Sequence, residues 1–184
     1  MAKLASKTYG DALFELAVEE NRVDSLYEEL NDLEKILEDN ADFSKLMNHP
    51  KITREEKEEL IRDTFKGRVS DELSGFLELI VKNGRYGELG GVIDHFRAAV
   101  KEYKKIGVAH VATPMPLSDR QKEEIEKKLL ETTDYQTMEM DYDIDPSLIG
   151  GMTIRIKDRV IDSSIRTRLD ELRKDLSKIQ LASH

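Results

Sequence analysis

The side chains best suited to metal or acid–base chemistry are scattered along this chain. Its four histidines are His49, His95, His110 and His184, and no two of them have the i, i+4 spacing of a metal-binding pair on a helix. The chain contains no cysteine, which excludes disulfides, thiolate zinc sites and thiol nucleophiles. We therefore interpret each histidine as an incidental surface or turn residue.

Two further stretches invite a ligand-binding interpretation. Gly150-Gly151 is a glycine pair, but it lies in neither a G-x-G-x-x-G nor a G-x-x-x-x-G-K-[ST] motif, so a turn before a strand is favoured. Asp141, Asp143 and Asp145 would share one face of a strand, where they could attract a cation. Calcium sites wrap oxygen ligands in a loop, and no EF-hand pattern is present, so a solvated strand face is favoured. We predict no catalytic residue, no cofactor and no metal site.

The elements that position these residues begin with helices. Between residue 4 and about residue 105, apolar side chains recur at helical spacing, with breaks at His49-Pro50 and Asn83-Gly84. Thr53-Arg-Glu-Glu56 is a capping box, in which hydroxyl and carboxylate each satisfy a backbone amide, and Ser70 can cap the next helix. Six helices with short connections predict a compact bundle.

The pattern changes at Gly107. Val108–Thr113 has the character of a strand, and Ser118-Asp-Arg-Gln121 is a second capping box that begins a helix. Met138, Met140, Tyr142 and Ile144 then alternate with acidic residues, which predicts a strand with one buried and one wet face.

The stretch from Asp145 to Leu176 predicts a turn, two short strands and a helix. Met152 to Ile156 alternates apolar with polar residues, Asp158-Arg159 is the predicted reversal, and Val160-Ile161 resumes the apolar character. Ser163 or Ser164 caps the helix that follows. One apolar stripe runs along that helix: Ile165, Leu169, Leu172, Leu176 and Ile179.

These elements predict an α+β fold in two parts. Residues 1–105 form an N-terminal six-helix bundle, and residues 106–184 form a small C-terminal α/β domain with a mixed sheet. The boundary is a switch of pattern, since no low-complexity linker separates the two parts.

The composition of the chain argues against some classes of function. The net charge of −9 argues against nucleic-acid binding, which needs a basic surface. From Glu19 to Asp39 there are nine acidic residues and only two basic ones, Arg22 and Lys35. This acidic stretch is either a solvated helix face or a docking surface for a basic partner. No run of eighteen apolar residues exists, and the N-terminus lacks the apolar core of a signal peptide, so we expect no membrane span and a cytoplasmic protein.

The C-terminal stretch resembles one known family. Pro146-Ser-Leu-Ile-Gly-Gly-Met-Thr-Ile-Arg-Ile156, then Val160-Ile-Asp-Ser-Ser-Ile165, is similar to the signature of the delta subunit of bacterial F-type ATP synthase, whose mitochondrial counterpart is the oligomycin sensitivity conferral protein. The family usually has glycine where this chain has Lys157, and alanine where it has Gly10. Tyr9–Ala17 and Phe76–Arg85 are similar to the family's first and fifth helices, so the resemblance spans the chain.

The resemblance implies a non-catalytic stator subunit of the peripheral stalk. It would link the catalytic head to the b-subunit stalk, so that rotor torque is resisted during proton-driven ATP synthesis. The helical bundle would take the N-terminal segment of an alpha subunit in a groove between the first and fifth helices. Matching groove residues are Tyr9, Leu13, Leu16, Ala17, Phe76, Leu79 and Ile80.

The same resemblance implies that the C-terminal domain grips the C-terminal ends of two b subunits. The protein would lie peripherally on the cytoplasmic face of the bacterial plasma membrane, in one copy per complex, without inserting into the bilayer. The alternative function is a stand-alone two-domain adaptor or regulator unrelated to the synthase. An enzyme is the third possibility, and it would require turnover by the purified chain.

Overall fold

The structure, a computed structural model, describes residues 2–181, with side chains described from residue 4 to residue 174. The chain divides into two compact units after Lys101, within the last turn of a helix. The α-helices before this boundary are α1 (Ala2–Glu19), α2 (Val23–Asp39), α3 (Ala41–Met47), α4 (Arg54–Phe65) and α5 (Asp71–Lys82), and α6 (Leu89–Tyr103) crosses it. A short 3₁₀ helix, Tyr86–Glu88, precedes α6.

The apolar stripes of these helices meet in one core. Leu26, Leu30 and Leu33 of α2 are fully buried, as the spacing of the stripe predicts. Each such leucine contributes roughly 1.5–3 kcal/mol of transfer free energy. Phe96 of α6 is also fully buried, and its ring meets that of Phe14 edge to face at 6.4 Å. The core therefore draws on helices that are distant in sequence.

The predicted helix starts are confirmed in atomic detail. Thr53 Oγ1 accepts the backbone N–H of Glu56 at 3.3 Å, and the Glu56 carboxylate accepts the backbone N–H of Thr53 at 2.8 Å. Ser70 Oγ accepts the N–H of Leu73 in the same way at 3.4 Å. At the end of α5, Gly84 has a φ of +66°, which suits glycine. The local chemistry of the sequence is thus sufficient to place these boundaries.

The second unit is a four-stranded sheet with two helices. Its elements are β1 (Ile106–Thr113), α7 (Asp119–Thr132), β2 (Thr137–Ile144), a 3₁₀ helix (Pro146–Leu148), β3 (Thr153–Ile156), β4 (Arg159–Asp162) and α8 (Ile165–Leu181). The strand order is β2-β1-β3-β4. β1 pairs with β2 in parallel and with β3 antiparallel, and β3 pairs with β4 antiparallel. The prediction of an α+β fold with a mixed sheet is confirmed.

Helix α7 covers one face of this sheet. Ala109, Met138 and Ile156 form a small core with Leu129 of α7. Ser118 caps α7 through the predicted capping box with Gln121. The neighbouring positions along the strands point to the opposite face, where β2 places Glu139, Asp141 and Asp143.

Two sequence-based expectations need correction in this unit. The reversal between β3 and β4 lies at Lys157-Asp158, one residue earlier than predicted, because β4 already begins at Arg159. Lys157 has a φ of +51°, the left-handed region that glycine occupies most easily, which explains the family's glycine at this place. The predicted half-buried character of β2 holds for Met138 but fails at Ile144, which is 52% exposed near the end of an edge strand.

The structure also decides which serine caps α8. Ser164 is fully buried, and its Oγ accepts the N–H of Thr167 at 3.2 Å, which makes it the N-cap. Ser163 instead donates its hydroxyl to the carbonyl of Met152 at 2.9 Å. Asp162 adds acceptors at the same helix start, for the N–H of Ser164 at 2.8 Å and the hydroxyl of Thr167 at 2.7 Å.

Candidate docking surfaces

The histidines singled out by the sequence take part in separate local contacts. His95 Nε2 lies 2.7 Å from Asp11 Oδ1, between α6 and α1, and His110 Nδ1 lies 2.9 Å from Asp141 Oδ2, between β1 and β2. His49 Nδ1 accepts the backbone N–H of Lys51 in a turn. His184 lies outside the described residues. Within residues 2–181 as described, no cluster of three or more His, Cys, Asp or Glu could hold a metal ion.

The three alternating aspartates are likewise used one by one. Asp141 faces His110, and Asp143 Oδ1 accepts the N–H of Ile144 at 2.9 Å. Asp145 lies beyond β2 and accepts the N–H of Ser147 at 2.9 Å, where it caps the 3₁₀ helix. Hydrogen bonds from Ser147 lower the pKa of the Asp145 carboxyl below its usual value. Each carboxylate therefore has a local structural contact of its own.

Gly150-Gly151 forms a turn, as predicted. Gly151 has a φ of +75°, and a Cβ there would lie 2.3 Å from the carbonyl oxygen of Ser163. The carbonyl of Gly150 accepts the N–H of Ile165 at 2.9 Å, which ties the turn to the first residue of α8. The glycines thus allow close packing of the backbone against the start of α8.

The residues predicted to line a groove between α1 and α5 divide into two groups. Leu13, Ala17, Phe76 and Ile80 are at most 8% exposed and belong to the core of the first unit. They pack with side chains of the other helices in that core. As the chain stands, they are not available to a partner.

The other three predicted groove residues reach the surface. Leu79 of α5 is 47% exposed, and Tyr9 and Leu16 of α1 are half-buried. The ring of Tyr9 meets that of Phe76 edge to face, with centroids 6.5 Å apart, which connects α1 to α5. We name Tyr9, Leu16 and Leu79 the α1–α5 surface.

A second apolar surface lies on the C-terminal unit, and the sequence analysis did not identify it as a site. The predicted stripe of α8 is exposed: Ile165 by 42%, Leu169 by 52% and Leu172 by 57%. Leu176 and Ile179 continue the stripe in the sequence but lie outside the described side chains. The spacing of these residues predicts an apolar stripe on the helix. Spacing alone does not distinguish a stripe that faces the core from one that faces solvent.

The edge strand β4 adds to the exposed apolar area of this unit. Val160 is 62% exposed and Ile161 is 56% exposed, although the apolar character of these side chains favours burial. An edge strand has a neighbour on one side only, which is the physical reason for the difference. The helices of the described chain include none that is both long and apolar enough to cross a bilayer.

Exposed apolar side chains on both units, in a helical unit and in a unit with a mixed sheet, are typical of an interaction protein. Comparisons with known proteins give the family. The family model for the ATP synthase delta (OSCP) subunit matches residues 5–176. The ATP synthase subunit delta of Lachnoclostridium phytofermentans is 50% identical to this chain over 98% of the chain and all of the relative, and that of Enterococcus hirae is 34% identical over 94% and 95%.

A solved structure agrees with this match. A chain in the cryo-EM structure of the Toxoplasma gondii mitochondrial ATP synthase hexamer superposes with a TM-score of 0.68 and 25% identity, over 93% of this chain and 96% of that one. This chain belongs to the ATP synthase delta (OSCP) subunit family. The predictions of a delta subunit and of a stator role are confirmed, and an adaptor unrelated to the synthase is not favoured.

Proposed function

We propose that this chain joins the catalytic head of an F-type ATP synthase to its peripheral stalk and catalyses nothing by itself. A rotor exerts torque on the head, and a joint with a docking surface on each of two units can transmit the opposing force. The exposure of apolar side chains on both units carries the proposal. Family membership supports it, because it places the chain among the subunits of the synthase.

In the first unit, the proposed partner is the N-terminal segment of an alpha subunit. A partner helix that docks in a groove buries apolar anchors at i, i+3, i+4 and i+7. Leu79 is the most exposed residue of the α1–α5 surface, and Tyr9 and Leu16 of α1 are half-buried. The unit, residues 1–105 in the sequence prediction, acts in this proposal as one six-helix bundle whose buried Leu13, Ala17, Phe76 and Ile80 keep that surface in shape.

In the second unit, residues 106–184, the proposed partners are the C-terminal ends of the b subunits. The exposed α8 stripe of Ile165, Leu169 and Leu172 supports this assignment, because large contiguous apolar area on a surface marks an interaction site. The protein then lies peripherally on the cytoplasmic face of the plasma membrane, in one copy per complex. Its contact with the membrane runs through the stalk.

Co-purification tests the proposal directly. The full chain, with an affinity tag, is expressed with the alpha and b subunits of the same organism, and the complexes are isolated from detergent-solubilised membranes. We expect a complex that contains all three subunits. Recovery of neither the alpha nor the b subunit with the full chain would overturn the proposal, and so would turnover of a small molecule by the purified chain alone.

A further inference from the structure

One residue of the second unit has a backbone conformation that its side chain disfavours. Ile149 has a φ of +67° and a ψ of −40°, a combination that β-branched residues rarely adopt. Its side chain is 62% exposed, so burial in the free chain does not compensate for the strain. Strained conformations of this kind are concentrated at functional sites.

Ile149 lies at the N-terminal end of the α8 stripe. The adjacent Gly150 approaches Ile165 so closely that a Cβ on the glycine would lie 2.5 Å from Ile165 Cδ1. The hydrogen bond from Ile165 N–H to the Gly150 carbonyl fixes this contact. The turn therefore brings the backbone next to this exposed isoleucine against the first residue of the stripe. We name Ile149, Ile165, Leu169 and Leu172 the α8 surface.

The spacing of the apolar residues along α8 matches the repeat of a coiled coil. From Ile165 through Leu169 and Leu172, and in the sequence on to Leu176 and Ile179, the intervals alternate between four and three residues. This is the repeat of 3.5 residues that lets one helix pack against another as a coiled-coil seam, with knobs of one helix in holes of the other. A stripe of this kind fits a helix better than it fits an extended segment.

The residues beside the seam are mostly cationic. In the heptad that this spacing defines, Arg166, Arg168 and Arg173 hold three flanking positions and are exposed, and Asp175 holds a fourth in the sequence. The acidic residues Asp170 and Glu171 hold outward positions instead. Arg166 also donates to Ser147 Oγ at 2.6 Å, on the same side as the turn that carries Ile149. Charges at flanking positions select the partner, so this pattern favours acidic residues there on the partner helix.

We propose that the α8 surface binds one partner helix with an apolar heptad repeat and acidic flanking residues, and that Ile149 is retained in its strained conformation as an anchor for that helix. The inference rests on the proposed function in taking the b subunits as the source of the helix. It adds the residues that make the contact and the charge that the partner must carry.

The test uses the full chain and two kinds of probe. The first probe is the C-terminal segment of the b subunit of the same organism. The second is a pair of designed heptad peptides with leucine at the core positions, identical except for Glu or Lys at the flanking positions. We expect the Glu peptide to bind at least about tenfold more tightly than the Lys peptide at low salt, because the flanking arginines repel lysine.

Substitutions separate a docking role of Ile149 from a structural one. Ile149→Gly removes an exposed side chain and relieves the strain, so the variant should unfold at the parent's temperature or higher. Its affinity for the Glu peptide and for the b segment should fall about tenfold, as for a truncated anchor. Leu169→Glu should abolish binding of both probes while the chain stays folded. Met115→Ala, which removes another exposed apolar side chain of the same unit, is the control and should bind like the parent.

The outcomes separate this inference from the proposed function. If the b segment binds the parent, Ile149→Gly and Leu169→Glu equally, the proposed function stands and the inference is wrong. If the b segment does not bind the parent, its assignment as partner fails, and the peptide pair still decides the inference. Equal binding of the Glu and Lys peptides, or loss of thermal stability in Ile149→Gly in parallel with loss of binding, would overturn it.

Discussion

The imidazole of His95 occupies the space that a side chain at Gly10 would need. A Cβ on Gly10 would lie 2.8 Å from His95 Cδ2 and 3.0 Å from His95 Cβ. The same imidazole reaches Asp11 on the next residue of α1, at 2.7 Å. Gly10 is therefore a packing residue between α1 and α6, and its low helix propensity is offset by the close approach of the two helices.

The first prediction follows from this contact. Alanine at Gly10 should gain about 1 kcal/mol of helix propensity, but overpacking against His95 should cost about 1–3 kcal/mol. We expect Gly10→Ala to lower the free energy of unfolding of the first unit, measured with urea. In a His95→Ala background the same change should cost less, because the contact with the imidazole ring is removed and only the 3.0 Å approach to Cβ remains. A Gly10→Ala variant more stable than the parent would show that the helices can separate at little cost.

The second prediction concerns the α1–α5 surface. Leu79→Glu should leave the circular dichroism spectrum and the unfolding midpoint unchanged, because the side chain is 47% exposed. It should weaken binding of a synthetic peptide with the sequence of the alpha-subunit N-terminus, measured by titration. Leu13→Glu places a charge at a residue that is 1% exposed, and should cost more than about 3 kcal/mol of stability.

A matched control accompanies this pair. Leu46 of α3 is exposed by 40%, similar to Leu79, but lies outside the α1–α5 surface. Leu46→Glu should bind the peptide like the parent. If Leu79→Glu also binds like the parent, the helix does not dock at Leu79, and the groove assignment for this residue is wrong.

The third prediction is a pH dependence at the start of α8. Hydrogen bonds from the hydroxyl of Thr167 and from Ser164 lower the pKa of Asp162 below its ordinary value of 3.8. A lowered pKa in the folded state contributes stability that is present above the unfolded pKa and is lost as the pH falls through the folded pKa. We expect Asp162→Asn to be less stable than the parent at neutral pH, and the difference to shrink as the pH falls below 3.8.

Urea unfolding curves at several pH values check this expectation, with a near-ultraviolet signal from the tyrosines of the second unit. Ser118→Ala serves as a comparison, because it removes the cap of α7, whose capping-box partner is the neutral Gln121, and its effect should not depend on pH in this range. A constant difference between Asp162→Asn and the parent, from neutral to acid pH, would contradict the prediction.

The fourth prediction concerns the acidic helix α2. Glu28, Asp32 and Glu38 are exposed on it. If this face docks on a basic partner, the affinity of the full chain for the purified synthase head should fall as salt is added. The fall should be clear by about 0.1 M ionic strength, where the Debye length is about 10 Å. Binding measured at several ionic strengths checks this, and Glu28→Gln with Asp32→Asn should flatten the dependence. An affinity that does not change with salt would favour a solvated helix face.

Local interactions explain why much of the fold was predictable. The capping boxes at Thr53 and Ser118 involve residues three apart, so the sequence contains the whole interaction. The alternation in β3 and the helical spacing in α2 are equally local. The sequence places the reversal between β3 and β4 one residue too late, at Asp158-Arg159. The turn has a φ of +51° at Lys157, and a lysine gives no turn signal in the sequence.

The candidate sites were only partly predictable. Of the predicted groove residues, Leu13 and Leu79 have the same chemistry, yet one lies in the core and the other at the surface. The α8 surface and the strained Ile149 were missed, because neither the exposure of a stripe nor a backbone angle can be read from residue types alone.

The sequence by itself determined the capped starts of α4, α5 and α7, the apolar stripes, and the family to which the chain belongs. These depend on contacts between near neighbours or on the order of residues along the chain. Only the tertiary structure decided that the stripe of Leu26, Leu30 and Leu33 is buried while the similarly spaced Ile165, Leu169 and Leu172 face solvent. Burial depends on what packs against a stripe from elsewhere in the chain, and the spacing of its own residues carries no information about that.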